Sequence, residues 1–265
     1  MGDAGNGTAL PDAAALAEAG LRLDVDGAVA TVTLDRPERR NAMTFALWRT
    51  LAAIGRSLPA DVRVVVLRGE GRSFSAGIDL KMFSGGGGFP DGADAAATDR
   101  FIAELQEGFT WLRNPEIVTV AAVHGHAIGA GFQLALSCDI RVVADDVKFC
   151  MKEPALGLVP DLTGTKPLVE AVGLNRALEL CLTARTVLAD EAARLGLAEI
   201  VAPAGKLDEA VDDLVAALLA VNPGAAVATK RLLLEAPGND LAAQCAAERR
   251  EQRGRLREMF GGQQG

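Results

Sequence analysis

Two unbroken apolar runs of strand length, residues 62–67 (VRVVVL) and 117–123 (IVTVAAV), each lead directly into a turn of small residues. A strand half-covered by solvent alternates apolar with polar residues. A continuous run is the pattern of a strand buried on both faces. The stretches between and after these runs read as helices, so the fold class is α/β. Other strand signals surround them. Residues 21–34 (LRLDVDGAVATVTL) hold two short β-rich runs joined at Asp26-Gly27, a dipeptide that tolerates the positive φ of a tight hairpin. Residues 139–144 and 147–150 read as further short strands. From about Asp161 the chain turns helical. Residues 208–221 place Ala210, Val211, Leu214, Val215, Leu218 and Leu219 on one stripe, and Asn222-Pro223 ends it. Residues 241–258 mix Arg and Glu densely, as a solvated helix face or a subunit-contact helix does.

With 265 residues, 49% of them hydrophobic, the chain can bury a large core without staples. The absence of Tyr and the presence of only two His, His124 and His126, narrow the chemistry. A tyrosine general acid is excluded, a multi-histidine metal cage nearly so, and any triad must use one of those two rings. Carboxylates and backbone groups are the working groups that remain, and no metal is expected. The net charge of −8 opposes polyanions, so neither nucleic acid nor an anionic membrane is an expected partner. Cys138, Cys150, Cys181 and Cys245 form no CxxC pair, which fits a reducing, cytoplasmic location. Residues 1–20 lack a secretory pattern and read as a mobile Ala/Gly-rich leader.

The two strand-to-turn segments, residues 64–83 and 117–140, carry the functional signal. Each turn opens into an expected helix and leaves backbone N–H groups without intrahelical partners; two such turns could jointly hold one oxyanion. Small residues there also allow close strand-to-helix packing, with no ligand implied. Other motifs fail. Gly129-Ala130-Gly131-Phe132-Gln133-Leu134 lacks the last glycine of a dinucleotide fingerprint, no P-loop is present, and Ser75 lies outside any Gly-x-Ser-x-Gly elbow.

Four ordered motifs resemble the signatures of the enoyl-CoA hydratase/isomerase (crotonase) family. They are Asp35-Arg36-Pro37 with Arg40-Asn41-Ala42-Met43; Phe74-Ser75-Ala76-Gly77-Ile78-Asp79-Leu80; His124-Gly125-His126-Ala127-Ile128-Gly129-Ala130-Gly131; and Cys138-Asp139-Ile140-Arg141. The similarity spans roughly residues 21–234. It implies a spiral of ββα repeats with two roughly perpendicular sheets over residues 21–203, and a C-terminal helical region over 204–265 that builds a homotrimer or hexamer. It implies further that the N–H groups of Ile78 and Ala130 form an oxyanion hole for an acyl-CoA thioester, CoA entering as part of the substrate with no separate cofactor. Ala130 stands where the family usually has glycine. Arg39, Arg40, Ala42, Ala76, Gly77, Ile78, Asp79, Leu80, Lys81, Gly129 and Ala130 match its CoA- and substrate-binding segments, with Arg39, Arg40 and Lys81 as candidate phosphate partners. The loop at residues 84–98 is expected to border the acyl pocket, and His124 and His126, which flank the oxyanion turn, to pack or to line the site.

Family hydratases use two glutamates. Here the second is retained as Glu153 and the first is Gln133, which cannot titrate. Gln133 is left to orient water or substrate by hydrogen bonding. Asp161, eight residues after Glu153, stands where family dienoyl-CoA isomerases carry an aspartate; it also suits a turn or a helix N-cap. One carboxylate suffices to shift a double bond, whereas hydration asks for two. The resemblance with these residues therefore points to an enoyl-CoA isomerase, with a hydratase, an acyl-CoA hydrolase or a non-catalytic acyl-CoA-binding protein as alternatives.

Overall fold

The computed structural model describes residues 9–83, 90, 94–203 and 205–260. The chain begins with α1 (Ala13–Ala19), the hairpin strands β1 (Leu21–Asp26) and β2 (Val29–Leu34), α2 (Phe45–Ser57), β3 (Val64–Gly69) and α3 (Ala95–Thr110). It continues through β4 (Val118–Val123), β5 (His126–Ile128), α4 (Ala130–Ser137), β6 (Ile140–Ala144) and β7 (Lys148–Cys150). Then come α5 (Thr165–Val172), α6 (Leu174–Thr183), β8 (Val187–Leu188), α7 (Ala189–Leu195) and β9 (Ile200–Ala202), followed by α8 (Leu207–Ala220), α9 (Pro223–Glu235) and α10 (Leu241–Phe260).

The two apolar runs become neighbouring parallel strands, β3 and β4, with Val64 opposite Val118 and Val66 opposite Val120. They lie at the centre of a six-stranded sheet ordered β1-β2-β3-β4-β6-β9, parallel except at the β1/β2 hairpin. Their unbroken hydrophobicity has a direct cause: Val65, Leu67, Ala121 and Val123 face the main core with α2 and α4, while Val64, Val66, Val120 and Ala122 face a second cluster covered by α8 through Val211 and Leu214. Period-2 alternation distributes one strand between two dry layers.

A second, smaller sheet pairs β5 with β7 and β7 with β8. Two isolated bridges, Ser75 to Ala127 and Met43 to Ile78, extend this layer across the preceding segments. Each of β2, β3, β4 and β6 is thus followed by a short extended piece in the small layer and then by a helix. This is the ββα spiral, and it stacks the turns carrying Ile78 and Ala130 side by side.

The structure corrects several sequence expectations. Residues 13–19, placed in the leader, form a helix that Asp12 caps and that buries Leu16 and Ala19. Asp26 pairs with Val29, so the hairpin loop is Gly27-Ala28, with Gly27 alone at positive φ (53°) as a type II′ loop requires. The chain after Asp161 is not purely helical, because β8 and β9 interrupt it with two and three residues, too few to show a period. The first small-residue turn opens not into an α-helix but into a single 3₁₀ turn, Leu80–Phe83.

The C-terminal helices are tied down by polar bonds. The Nζ of Lys230 on α9 donates to the carbonyls of Asn114 (2.8 Å) and Ile117 (2.7 Å) and to Asp139 Oδ2 (2.7 Å). Among the described residues no single helix is long and apolar enough to cross a membrane; α8 and α9 reach that length and hydropathy only jointly, across a 104° bend.

Candidate active site

Ile78 owes its place to the bridge with Met43. Met43 N–H donates to Gly77 O (2.8 Å), Asp79 N–H donates to Met43 O (2.8 Å), and Gly77 N–H donates to Ser75 Oγ (3.1 Å). Its neighbours' donors are consumed, and among the described residues Ile78 N–H has no acceptor. On the adjacent turn, Gly129 N–H donates to Cys150 O (2.8 Å) and Gln133 N–H closes the first bond of α4 onto Gly129 O (2.9 Å). Ala130 N–H, at the positive end of that wholly buried helix, is likewise left free among the described residues.

Glycine geometry draws the two donors together. Gly77 has φ 89°, and a Cβ there would lie 2.6 Å from Ile128 O and 3.6 Å from Ala130 N. Gly129 has φ 53° and a would-be Cβ 3.1 Å from Glu153 Oε1. The strained conformation thus falls on Gly129, and Ala130 keeps an ordinary helical φ, which explains why alanine is tolerated beside the family's glycine pattern.

Glu153 follows β7 and opens a 3₁₀ turn, Glu153–Leu156, which carries it under the N-terminus of α4. It is buried, its Oε1 accepts from Gln133 Nε2 at 2.6 Å, and its Oε2 has no partner among the described residues. Burial pushes the Glu153 carboxyl above the ordinary value and the charge of Asp161 adds to the shift, against the Gln133 hydrogen bond. Asp161 lies at the rim of the same cavity, where burial against the wall raises its carboxyl as well. It is no helix cap: Gly164 precedes α5, and Gln106 Nε2 holds Asp161 through its backbone oxygen at 2.6 Å.

Gln133 sits among protein partners beside Glu153. Fully buried and absent from the cavity wall, it donates to Glu153 and accepts from the N–H groups of Leu162 (2.9 Å) and Gly164 (3.2 Å). The terminal amide is thus engaged by protein groups.

The cavity holds about 430 Å³ and joins the donors and carboxylates to an apolar chamber walled by Phe45, Trp48, Phe101, Leu105, Leu158 and Leu162. Pro90 and Thr98 line it from the expected loop, while residues 84–89 and 91–93 lie outside the described residues. Sequence reasoning missed the aromatic wall on α2 and α3, whose signal was their apolar stripes rather than any motif.

The expected nucleotide-binding segments also meet. Arg36 donates to Ala42 O and pairs with Asp79 Oδ2 at 3.0 Å, while Ala76 N–H donates to Arg40 O at 2.8 Å. Asp79 is thereby a fastener. Partial burial would raise its carboxyl, but the Lys81 N–H bond and Arg36 outweigh that and hold it low. Arg39, Arg40 and Lys81 are exposed, and Leu80 is exposed at the cavity mouth. His124 bonds Gly71 O at 2.7 Å and His126 meets Ser73 Oγ at 3.2 Å; neither lines the cavity. Burial and the charges of Lys148, Arg40 and Arg72 hold His126 below its usual value. Among the described residues no cluster of three or more His, Cys, Asp or Glu gathers as a metal site.

The comparisons agree with this geometry. The family model for enoyl-CoA hydratase/isomerase matches residues 24–257. The crystal structure of a Thermobifida fusca YX protein bearing the enoyl-CoA hydratase designation, in complex with CoA, superposes with a TM-score of 0.91 at 62% identity, covering 95% of this chain and 98% of that one. The probable enoyl-CoA hydratase of Rhizobium meliloti (strain 1021) is 36% identical over 194 residues, 72% of each chain. The mitochondrial Delta(3,5)-Delta(2,4)-dienoyl-CoA isomerase of Homo sapiens is 36% identical over 221 residues, 80% of this chain and 67% of that protein. Two backbone donors beside a buried glutamate, on a ββα spiral matched along nearly its whole length, place this chain in the enoyl-CoA hydratase/isomerase family.

Proposed function

We propose that this protein is an enoyl-CoA isomerase that moves a double bond from C3 to C2 of an acyl-CoA thioester. The observation that carries the reading is the single unpartnered oxygen of Glu153, held beside two free N–H donors, with its neighbour a non-titrating Gln133. The thioester oxygen sits between Ile78 N–H and Ala130 N–H. Glu153 Oε2 takes a proton from C2, the electron pair spreads into the thioester as a dienolate, and the same oxygen returns the proton at C4. The charge that develops falls on the oxygen at the two donors, each worth about 3 kcal/mol of transition-state stabilisation in comparable holes. Burial supports the base assignment: an elevated carboxyl brings its proton affinity closer to that of the carbon acid.

A second reading is favoured by Asp161. Its raised carboxyl on the same cavity offers a second proton station, which suits a conjugated dienoyl-CoA whose proton travels farther along the chain. The protein is further read as a homotrimer or hexamer assembled through its C-terminal helices, in the cytoplasm, where its four unpaired cysteines stay reduced.

Purified protein given 3-hexenoyl-CoA, a 3,5-dienoyl-CoA and crotonyl-CoA separately, with products identified by mass and chromatography, tests these readings. Isomerised product from 3-hexenoyl-CoA that survives Asp161→Asn supports the single-carboxylate route. Turnover of the dienoyl substrate that is lost in Asp161→Asn supports the second. Fast hydroxyacyl-CoA formation from crotonyl-CoA that persists in Asp161→Asn would replace both with hydration, and release of free CoA thiol would indicate a hydrolase.

A further inference from the structure

Gln133 is fully buried, and its terminal amide joins Glu153 to the backbone of the turn that follows Asp161. Its Oε1 accepts from two backbone donors, Leu162 N–H and Gly164 N–H, a task only an oxygen can perform, so the amide has one orientation and its NH₂ must face Glu153. The fit leaves no slack: a Cβ on Gly164 would lie 2.6 Å from Gln133 Cγ. Ser137 Oγ donates to the Gln133 carbonyl at 2.9 Å and meets Thr163 Oγ1 at 3.2 Å, adding a second tie to the same turn. One side chain thus holds Glu153 directly and holds Asp161 through the residue that follows it.

We propose that Gln133 is a positioning residue that sets the two cavity carboxylates relative to one another and reserves Oε2 of Glu153 for the proton that moves. The inference rests on the acyl-CoA reading of the cavity but goes beyond it, because it assigns a role to a residue that does not touch substrate. The titratable and charged groups around Glu153 are Asp161 after the turn, Lys152 beside it in the chain, Cys150 on β7 and Cys181 on α6. Gln133 is the neutral donor among them. A glutamate in its place would set a second carboxylate about as close to Glu153 as the present 2.6 Å contact, where both cannot ionise without a proton between them.

Two variants with two readouts test the proposal. Gln133→Met keeps the length of the side chain and loses every terminal bond; Gln133→Glu keeps the acceptor for Leu162 and Gly164 and changes only the partner of Glu153. In Gln133→Met the Leu162 and Gly164 amides are expected to exchange hydrogen about tenfold faster, kcat to fall about tenfold or more with KM little changed, and the acid limb of kcat to move to higher pH, since the donor favouring the charged form is gone. In Gln133→Glu amide protection is expected to persist while the acid limb moves up further. Unchanged exchange in Gln133→Met, or an acid limb that stays in place in Gln133→Glu, overturns the proposal. Should Gln133→Met not fold, Gln133→Glu alone decides through its acid limb. Absence of turnover on any acyl-CoA would instead sink the acyl-CoA reading, and the exchange rates would still be read.

Discussion

Glu153 answers opposite demands of stability and chemistry. Its carboxyl is raised in the folded chain, so folding binds its proton more tightly than the unfolded chain does. The stabilisation that protonation supplies is full below the unfolded value near pH 4 and is lost as pH rises through the folded value. Ionising this side chain therefore destabilises the fold. Glu153→Gln, which can still accept from Gln133, is expected to raise the melting temperature at pH 7, with the gain shrinking as pH falls toward 4. The same variant is expected to lose catalysis by about 10²-fold or more. Full activity in Glu153→Gln would remove this residue from the mechanism. For the wild type, kcat is expected to fall as pH drops through the raised carboxyl value, at a pH above that of an ordinary glutamate. That residue 133 cannot titrate was legible from its side-chain type; that its bonds point at Glu153 and at two backbone donors was not, because those partners lie 20 to 31 residues away in sequence.

At the scale of elements, the site depends on extended segments too short to announce themselves. A single bridge, Met43 to Ile78, turns one N–H of each pair inward, and β5, only three residues long, delivers Gly129 and Ala130. Short pieces show no apolar period, so the motifs were legible while the small sheet that aligns them was not. Gly77 is where the two turns come closest to touching. Gly77→Ala places a Cβ at positive φ against Ile128 O and is expected to cost about 1–3 kcal/mol of stability. Because any relief of that contact separates the two turns, kcat/KM is expected to fall more than stability alone accounts for. Thermal melting with parallel kinetics checks this; an unaltered kcat/KM would show that the turns need not touch. The long strands behaved otherwise: the unbroken runs of β3 and β4 announced burial on both faces, and each face found its own layer.

For the whole molecule, the net charge of −8 opposes a polyanionic CoA thioester, and on the proposed reading the exposed cations Arg39, Arg40 and Lys81 are what would draw it in. Arg40→Ala is expected to raise KM several-fold with little change in kcat, an effect that shrinks as salt is added. An unchanged KM at low salt would release Arg40 from that role. The C-terminal helices leave Leu233, Leu241 and Phe260 at 68%, 80% and 59% exposure, apolar side chains that a subunit contact would cover. Light scattering on the purified protein is expected to give about three or six times the 27.5 kDa chain mass. A monomer at micromolar concentration would oppose the trimer reading.

The sequence by itself determined the α/β class, the buried central strands, the family, and the inventory of working groups: with no Tyr and two packed His, carboxylates and backbone donors remained. The class and the strands follow from local periodicity and the working groups from residue type, all of which a linear chain carries, while the family follows from the resemblance of its ordered motifs. Only the tertiary structure decided that Gln133 bonds Glu153, that Asp161 lines the same cavity, that α1 belongs to the core, and that one Glu153 oxygen is without a partner among the described residues. Each of these depends on which distant backbone groups the spiral brings within hydrogen-bond reach, and hydrogen bonds and desolvation act over a few ångströms of space whatever the separation along the chain.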